Sequence, residues 1–403
     1  MPPEPPPELP AEVPAYRAAL ESLYGLARFG EKLDLEGPRA LAAALGDPLA
    51  GYRSVVIGGT NGKGSTSAFT EALLRGAGLR VGLFTSPHLI SFCERVRVDG
   101  VQIEPATVGR LAPRVLAAVD DVSFFEATWG LAALAFAEAR VDVAIWEVGL
   151  GGRLDATNAC EPEVSAVVSV DFDHMAVLGD TLGAIAREKA GIFRSGRPAL
   201  TTAEGAGLRA LRAAWPGVIE VPVRADLPAL PLAGAHQRRN ASLACAVADA
   251  LGVATATAAL AAVRWPGRVE VFGDVVIDCA HNPHGAAALC AWLDAREAPV
   301  PVHLIFGAMA DKDVTGMAPL LAARAATVTL VTPTYPRRRP ATELVPLFAG
   351  RPTRVVSTVA EALDTRPADG LTLVAGSCFL AGEARAHLNG VPFPELGLLT
   401  LAR

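Results

Sequence analysis

No Cys-x-x-Cys pair occurs among the six cysteines, Cys93, Cys160, Cys245, Cys279, Cys290 and Cys378. Their scatter excludes a disulfide framework and a thiolate zinc site, and suits a reducing compartment. Basic charge is also short: 36 Lys and Arg against 42 Asp and Glu leave a net charge of −6. With no basic stripe, that balance argues against a nucleic-acid partner. No window approaches the ~18 uninterrupted apolar residues of a membrane span. Six of the first ten residues are proline, with neither a basic n-region nor an apolar core. Residues 1–15 therefore read as a disordered Pro-rich tail rather than a signal peptide. There is no internal repeat. A soluble, cytoplasmic protein is expected.

Apolar residues make up 51% of the 403-residue chain and charged residues 19%, ample for substantial cores. At ~100–200 residues per domain, the length predicts two domains. Apolar runs at 54–57, 81–84, 141–146, 164–170, 275–277, 302–306, 327–331, 354–357 and 371–375 read as strands. Stretches at 67–75, 105–119, 127–139, 182–190, 239–251, 283–295 and 359–363 read as helices. Their alternation predicts parallel sheets covered on both faces. Trp265-Pro266-Gly267-Arg268 breaks a helical stretch before a fresh strand series. Two α/β domains are expected to meet there, spanning 16–267 and 268–403. The Pro- and Ala-rich segment 203–232 carries no readable pattern.

The densest signal is Val55-Val56-Ile57-Gly58-Gly59-Thr60-Asn61-Gly62-Lys63-Gly64-Ser65-Thr66. A strand runs into a glycine loop with one lysine, and a helix follows. Glycines let backbone N–H groups curl around phosphate oxygens, and the helix N-terminus adds partial positive charge. Lys63 would reach the outer phosphates, and Ser65 or Thr66 would bond phosphate or metal. The general phosphate-loop pattern asks for Gly, four residues, then Gly-Lys-Ser/Thr. Here Ile57 stands at the first position and Gly64 intervenes before Ser65. An ordinary strand-to-helix turn is the alternative, but a lysine between two glycines has no packing role.

Ligands of open parallel sheets bind beyond the carboxyl ends of the strands. Polar clusters follow three predicted strands: Thr85-Ser86-Pro87-His88, Glu147 with Gly149 to Asp155, and Asp171, Asp173 and His174. Glu147 after an apolar strand suits the acid that holds magnesium against β- and γ-phosphates. Imidazole is not a favoured magnesium ligand, so His174 alone fits a helix cap or a core histidine as well. Pro336-Arg337-Arg338-Arg339-Pro340 reads as a loop near an anionic substrate.

Together these motifs resemble folylpolyglutamate synthases and dihydrofolate synthases, within the Mur ligase superfamily. The resemblance rests on Gly59-Thr60-Asn61-Gly62-Lys63-Gly64-Ser65, Thr85-Ser86-Pro87-His88-Leu89, and Glu147 through Asn158. It continues in Asp173-His174 to Leu178-Gly179, Arg187-Glu188-Lys189-Ala190-Gly191-Ile192, Asp278-Cys279-Ala280-His281-Asn282-Pro283 and Asp311-Lys312-Asp313. The matches run in order from about residue 20 to 385.

The resemblance implies an N-terminal domain with a phosphate-loop-type, mostly parallel sheet and flanking helices, and a smaller Rossmann-like C-terminal α/β domain. Gly62, Lys63, Gly64 and Ser65 would cradle ATP. Asn240, Arg268 and Asp278 would contact it from the second domain, with His281 nearby. Ser86 and Glu147 would hold one Mg²⁺. Glu147, His174 and Lys189 would hold a second, with Lys189 carbamylated by CO₂ so that its end is anionic. Without the surrounding match Lys189 would read as a solvated helix lysine. The pteridine-bearing substrate would lie along Ser123, Phe124, Phe125, Glu126, Leu154, Asp155 and Ala156, although Phe124 and Phe125 suit a core role equally.

The implied activity is ATP-dependent amide formation. The carboxylate of 7,8-dihydropteroate, or the γ-carboxylate of a folyl-polyglutamate, is activated as an acyl phosphate and captured by the α-amine of L-glutamate. Lys63, His174 and Lys189 would be its catalytic groups. A bifunctional, monomeric enzyme is expected. The alternatives are folylpolyglutamate synthase activity alone, a cell-wall Mur ligase and a nucleotide-gated switch. The Gly-Lys-Gly-Ser loop, with only about fifty residues before it, speaks against the cell-wall ligase. The Ser86, Glu147, His174 and Lys189 set speaks against the switch.

Overall fold

The computed structural model describes residues 14–26, 34–296, 300–391, 393, 395 and 398. Two sheets organise them. The first has β1 (Arg53–Gly58), β2 (Val81–Phe84), β3 (Val96–Val98), β4 (Val101–Gln102), β5 (Val143–Glu147), β6 (Val164–Val167), β7 (Ala199–Thr201) and β8 (Ile219–Glu220). Their order is β4-β3-β2-β5-β1-β6-β7-β8. Strands from β2 to β8 run parallel, and β3 and β4 add an antiparallel edge. Central β1 reads Val-Val-Ile because both its faces are covered.

The period of two along each strand sorts side chains between two cores. Val56 and Trp146 face the helix Phe124–Ala139. Val55, Ile57, Val143 and Ile145 face the other way, against Leu74 and the helix His236–Ala250.

The second sheet comprises β9 (Glu270–Phe272), β10 (Val275–Ile277), β11 (Val302–Phe306), β12 (Thr327–Val331), β13 (Thr353–Val356) and β14 (Leu371–Ala375). Its order is β13-β12-β11-β14-β10-β9, parallel except for β9. Helices Pro283–Asp294 and Val314–Ala322 cover one face. Val359–Asp364 and Cys378–Leu388 cover the other. The α/β class with two mostly parallel sheets is as the sequence predicts.

Local differences have local causes. The helix expected from residue 67 begins at Lys63, because Gly62 at φ +85° turns the chain directly into it. Residues 1–13 of the expected tail lie outside the described residues, whereas Pro14 and Ala15 open the helix Pro14–Leu26. The unreadable 203–232 segment holds the helix Gly205–Ala214 and β8. The stretch expected to be helical before Trp265 is a 3₁₀ turn, Thr257–Ala262. All six cysteines are free and buried. Among the described residues, no helix is long and apolar enough to cross a membrane.

Candidate active site

In both sheets the chemistry-bearing loops leave the carboxyl ends of the parallel strands, and they meet across one cleft. From the first sheet come the loops after β1, β2, β5 and β6. From the second come those after β10, β11, β12 and β14. They enclose a cavity of about 1000 Å³. In the first sheet β1 is also the switch point, its chain leaving toward β2 while β6, β7 and β8 extend the opposite way.

The loop after β1 is held firmly. Thr60 N–H donates to Ser169 O at 2.9 Å, and Asn61 N–H donates to Ser169 Oγ at 2.9 Å. Gly62 has no room for a side chain: a Cβ there would lie 2.7 Å from Asn240 Oδ1 and 2.8 Å from Val168 Cγ1. The helix starting at Lys63 leaves its first N–H groups facing the loop. Lys63 Nζ rests on Gly59 O at 3.1 Å and Thr60 O at 3.2 Å, lining the cavity beside Gly62 and Gly64.

Glu147 ends β5 and accepts the Ser86 N–H at 3.1 Å. Burial pushes its carboxyl up to about 7 against the pull of Lys63. Lys189, on the helix Leu182–Ala190, is 4% exposed. It is a cavity-wall residue rather than a solvated lysine. Burial and then the Lys63 charge bring its amine down to about 7. His174 opens the short helix Met175–Leu178 with φ +49°. Burial lowers its imidazole to about 4, and its Nε2 meets Lys312 Nζ at 3.2 Å.

Asp173 ties the two sheets together. Its carboxylate takes Lys312 Nζ at 2.9 Å, Asn282 Nδ2 at 2.9 Å and His281 Nε2 at 3.4 Å, all from second-sheet loops. Burial opposes its charge, but His281, Lys312 and His174 hold it well below the usual carboxylate range. His281 Nδ1 lies 2.8 Å from Cys279 O, so both ring nitrogens face acceptors, as in an imidazolium. Burial pulls His281 down, yet the Asp173 bond prevails and leaves it at about 9. Beside this, Asn61 and Asn282 exchange amide hydrogen bonds at 2.9 and 3.1 Å, linking the phosphate-loop segment to the second sheet.

Away from the glycine loop the wall turns aromatic. Phe124 stacks on Tyr24 at 5.6 Å, and Phe125 meets Phe84 edge-on at 5.7 Å. Both half-buried rings pack on the core and line the cavity, so the two sequence readings hold together. Arg95 lies 5.2 Å over Phe124, its Nε donating to His88 Nδ1 at 2.8 Å. On the second-sheet side of the cleft Tyr335 stacks on Phe379 at 3.8 Å.

Several expected ligand-binding residues do other work. Ser123 and Glu126 form the capping box of the helix Phe124–Ala139. Asp155 spends its carboxylate on Gly149, Leu150 and Thr157 N–H groups and the Thr157 hydroxyl. Ser123, Glu126, Asp155 and Ala156 nevertheless lie on the wall, whereas Leu154 does not. Ser65, Asn240 and Asp278 are also off it. Asn240 belongs to the helix His236–Ala250 on the first sheet, not to the second domain, and it packs behind Gly62. Asp278 accepts Val269 and Ala280 N–H groups, fixing the turn that presents Arg268. Arg268 and His281 do reach the cavity. Sequence reasoning gave no role to Arg95, Asp173, Lys312, Tyr335 or Phe379, although Asp173 and Lys312 stood inside quoted motifs.

Comparison with known proteins places this geometry. Residues 267–378 match the family described as Mur ligase, glutamate ligase domain. The dihydrofolate synthase/folylpolyglutamate synthase of Bacillus subtilis is 31% identical over 93% of this chain and 99% of its own. The chain belongs to the folylpolyglutamate synthase/dihydrofolate synthase family. Escherichia coli FolC in complex with DHPP and ADP superposes with a TM-score of 0.84 and 30% identity, covering 93% of this chain and 98% of that one. A probable bifunctional folylpolyglutamate synthase/dihydropteroate synthase of Haloferax volcanii is 36% identical over 94% of this chain. The chain spans about half (51%) of that relative's length.

Among the described residues, no group of three or more His, Cys, Asp and Glu side chains could hold a metal ion. The Ser86 hydroxyl and the Glu147 carboxylate suit Mg²⁺, which takes one or two protein oxygens beside phosphate and water. A second ion fits the plain residues poorly, because Lys189 as an ammonium would repel it and His174 faces Lys312.

Proposed function

We propose that the chain is an ATP-dependent ligase that joins L-glutamate to 7,8-dihydropteroate and to folyl-polyglutamates. The observation that carries this reading is the single cleft in which the Gly59–Gly64 loop and the aromatic Phe124–Phe125 wall face the second sheet's loops. In this reading Gly62, Lys63, Gly64 and the first helical turn at Ser65 bind the phosphates. Asn240 backs the loop, and Arg268, with Asp278 behind it, neutralises phosphate charge from the opposite side beside His281. Ser123, Phe124, Phe125, Glu126, Leu154, Asp155 and Ala156 shape the wall for the pteridine-bearing substrate.

The substrate carboxylate attacks the γ-phosphorus of ATP in line, giving an acyl phosphate and ADP. Lys63 offsets the charge gathering on the transferred group. The amine of glutamate then attacks the acyl carbon and phosphate leaves. Mg²⁺, held by Ser86 and Glu147, would supply further charge neutralisation when bound. A buried Lys189 whose amine is brought down to about 7 is partly neutral at pH 7, the form that adds CO₂. The carbamate would turn it into an oxygen donor, with Glu147 and His174, for a second ion. Contact between the sheets at Asp173 keeps water from the acyl phosphate.

The test offers purified protein Mg-ATP and L-glutamate with 7,8-dihydropteroate or tetrahydrofolate, and measures ADP and ligated product. Product with both supports the bifunctional enzyme, and product with one names the single activity. ATP binding without product from either would overturn the ligase reading.

A further inference from the structure

The arginine-rich loop after β12 has no part in the chemistry above, yet it lines the same cavity through Arg337 and Arg338. It is a built feature rather than a loose tip. Ala310 N–H donates to Arg337 O at 2.8 Å and Arg339 N–H to Ala308 O at 2.9 Å. With the Met309–Arg338 bridge, these bonds add the loop as a short antiparallel rung to the segment after β11. Arg339 is used up in holding it, donating to Ala310 O at 2.7 Å and lying 3.7 Å from Glu343. Thr334 N–H and Oγ1 are fixed by Glu383 at 2.6 and 3.1 Å.

The same loop places Tyr335 against the aromatic core of the first unit and on Phe379. Two residues later it presents Arg337 and Arg338, both exposed at the cavity rim. Arg338 donates to a neutral carbonyl, Tyr335 O, at 3.2 Å. A protein of net charge −6 thus fixes the backbone of two cationic residues where an aromatic wall meets the cleft's edge.

We infer that Arg337 and Arg338 form a subsite for the α-carboxylates of a γ-linked oligoglutamate tail. The inference rests on the ligase reading and adds a preference for tail length. Each added glutamate brings one more anion, and a rim carrying two guanidinium groups favours substrates that already carry several. Exposed pairs of this kind are weak singly and screened by salt, so the preference is graded and sensitive to ionic strength.

The test compares wild type with Arg337→Gln/Arg338→Gln, using tetrahydrofolate carrying one or three γ-linked glutamates. Binding is measured calorimetrically without ATP, and KM in turnover, at low and high salt. Wild type is expected to favour the triglutamate, and the double variant to lose roughly 5–10-fold more affinity for it than for the monoglutamate. High salt should produce the same narrowing in wild type. Circular dichroism checks that the exposed substitutions leave the fold intact. Ligation with a tail-length preference untouched by the variant would overturn the subsite alone. Failure of wild type to ligate any folate would sink the ligase reading and this inference with it.

Discussion

Asp173→Asn removes one charge from the junction between the two sheets and keeps the side chain's shape. Its carboxylate faces Lys312 at 2.9 Å and His281 at 3.4 Å, and the Asp173 and Lys312 side chains are only 9% and 8% exposed. Leaving a buried charge without its partner costs about 3–5 kcal/mol. An independent figure comes from His281. Holding its imidazole at about 9 rather than 6.5 corresponds to about 3 kcal/mol. Because the folded value is raised, that contribution is complete below pH 6.5 and is lost as pH rises through 9. Urea unfolding of nucleotide-free protein at pH 6 and pH 9.5 tests both. Wild type should be less stable at the higher pH. The variant should lose about 3 kcal/mol at pH 6 and show a much smaller pH difference. Equal stability at pH 6, or an unchanged pH difference, would refute the assignment of Asp173 as the junction's anchor.

Two further outcomes follow from the site. Lys189→Ala should lower turnover by at least about 100-fold without lowering the melting temperature, since it deletes a buried cation that burial penalises; wild-type rates would remove the carbamate from the proposal. Gly62→Ala forces a Cβ to within 2.7 Å of Asn240 Oδ1 at φ +85°. Its ATP affinity should fall about 10-fold or more, a left-handed alanine alone costing roughly 1–2 kcal/mol, and calorimetry with a non-hydrolysable analogue would read it.

What was legible in the sequence was what is local. The buried parallel strands are mostly apolar runs, so β2, β10, β11, β12 and β14 fall at the expected residues. Strands such as β4 and β8, two residues each, are too short to carry a period. The glycine loop was legible because its geometry needs glycine at fixed places. Lys312 and Asp173, 139 residues apart, left no such trace, since their pairing exists only once both sheets have formed. Carboxylates misled for a related reason. Sequence shows that Glu126 and Asp155 are acidic, but only the folded loop shows that nearby N–H groups have already claimed them.

That consumption of acids decides what the cleft can hold. Asp155 is used by its own loop, Glu126 by a helix cap, Asp34 by the Gly37 N–H and Asp173 by second-sheet partners. Asp311 lies 3.8 Å from Lys312, whereas Glu147 accepts the Ser86 N–H. Against it stand Lys63, Arg95, Lys189, Arg268, Arg337 and Arg338 on the same wall. The chain is acidic overall, yet on this wall Lys and Arg side chains outnumber Asp and Glu by seven to six. Such a cleft favours ligands that carry several anionic groups, among which a nucleotide triphosphate and a carboxylate-bearing tail are chemically natural. Glu147, at the end of β5 beside the Ser86 N–H and within reach of the Lys63 and Arg268 charges, is the carboxylate on which a divalent ion would join those cations against the phosphates.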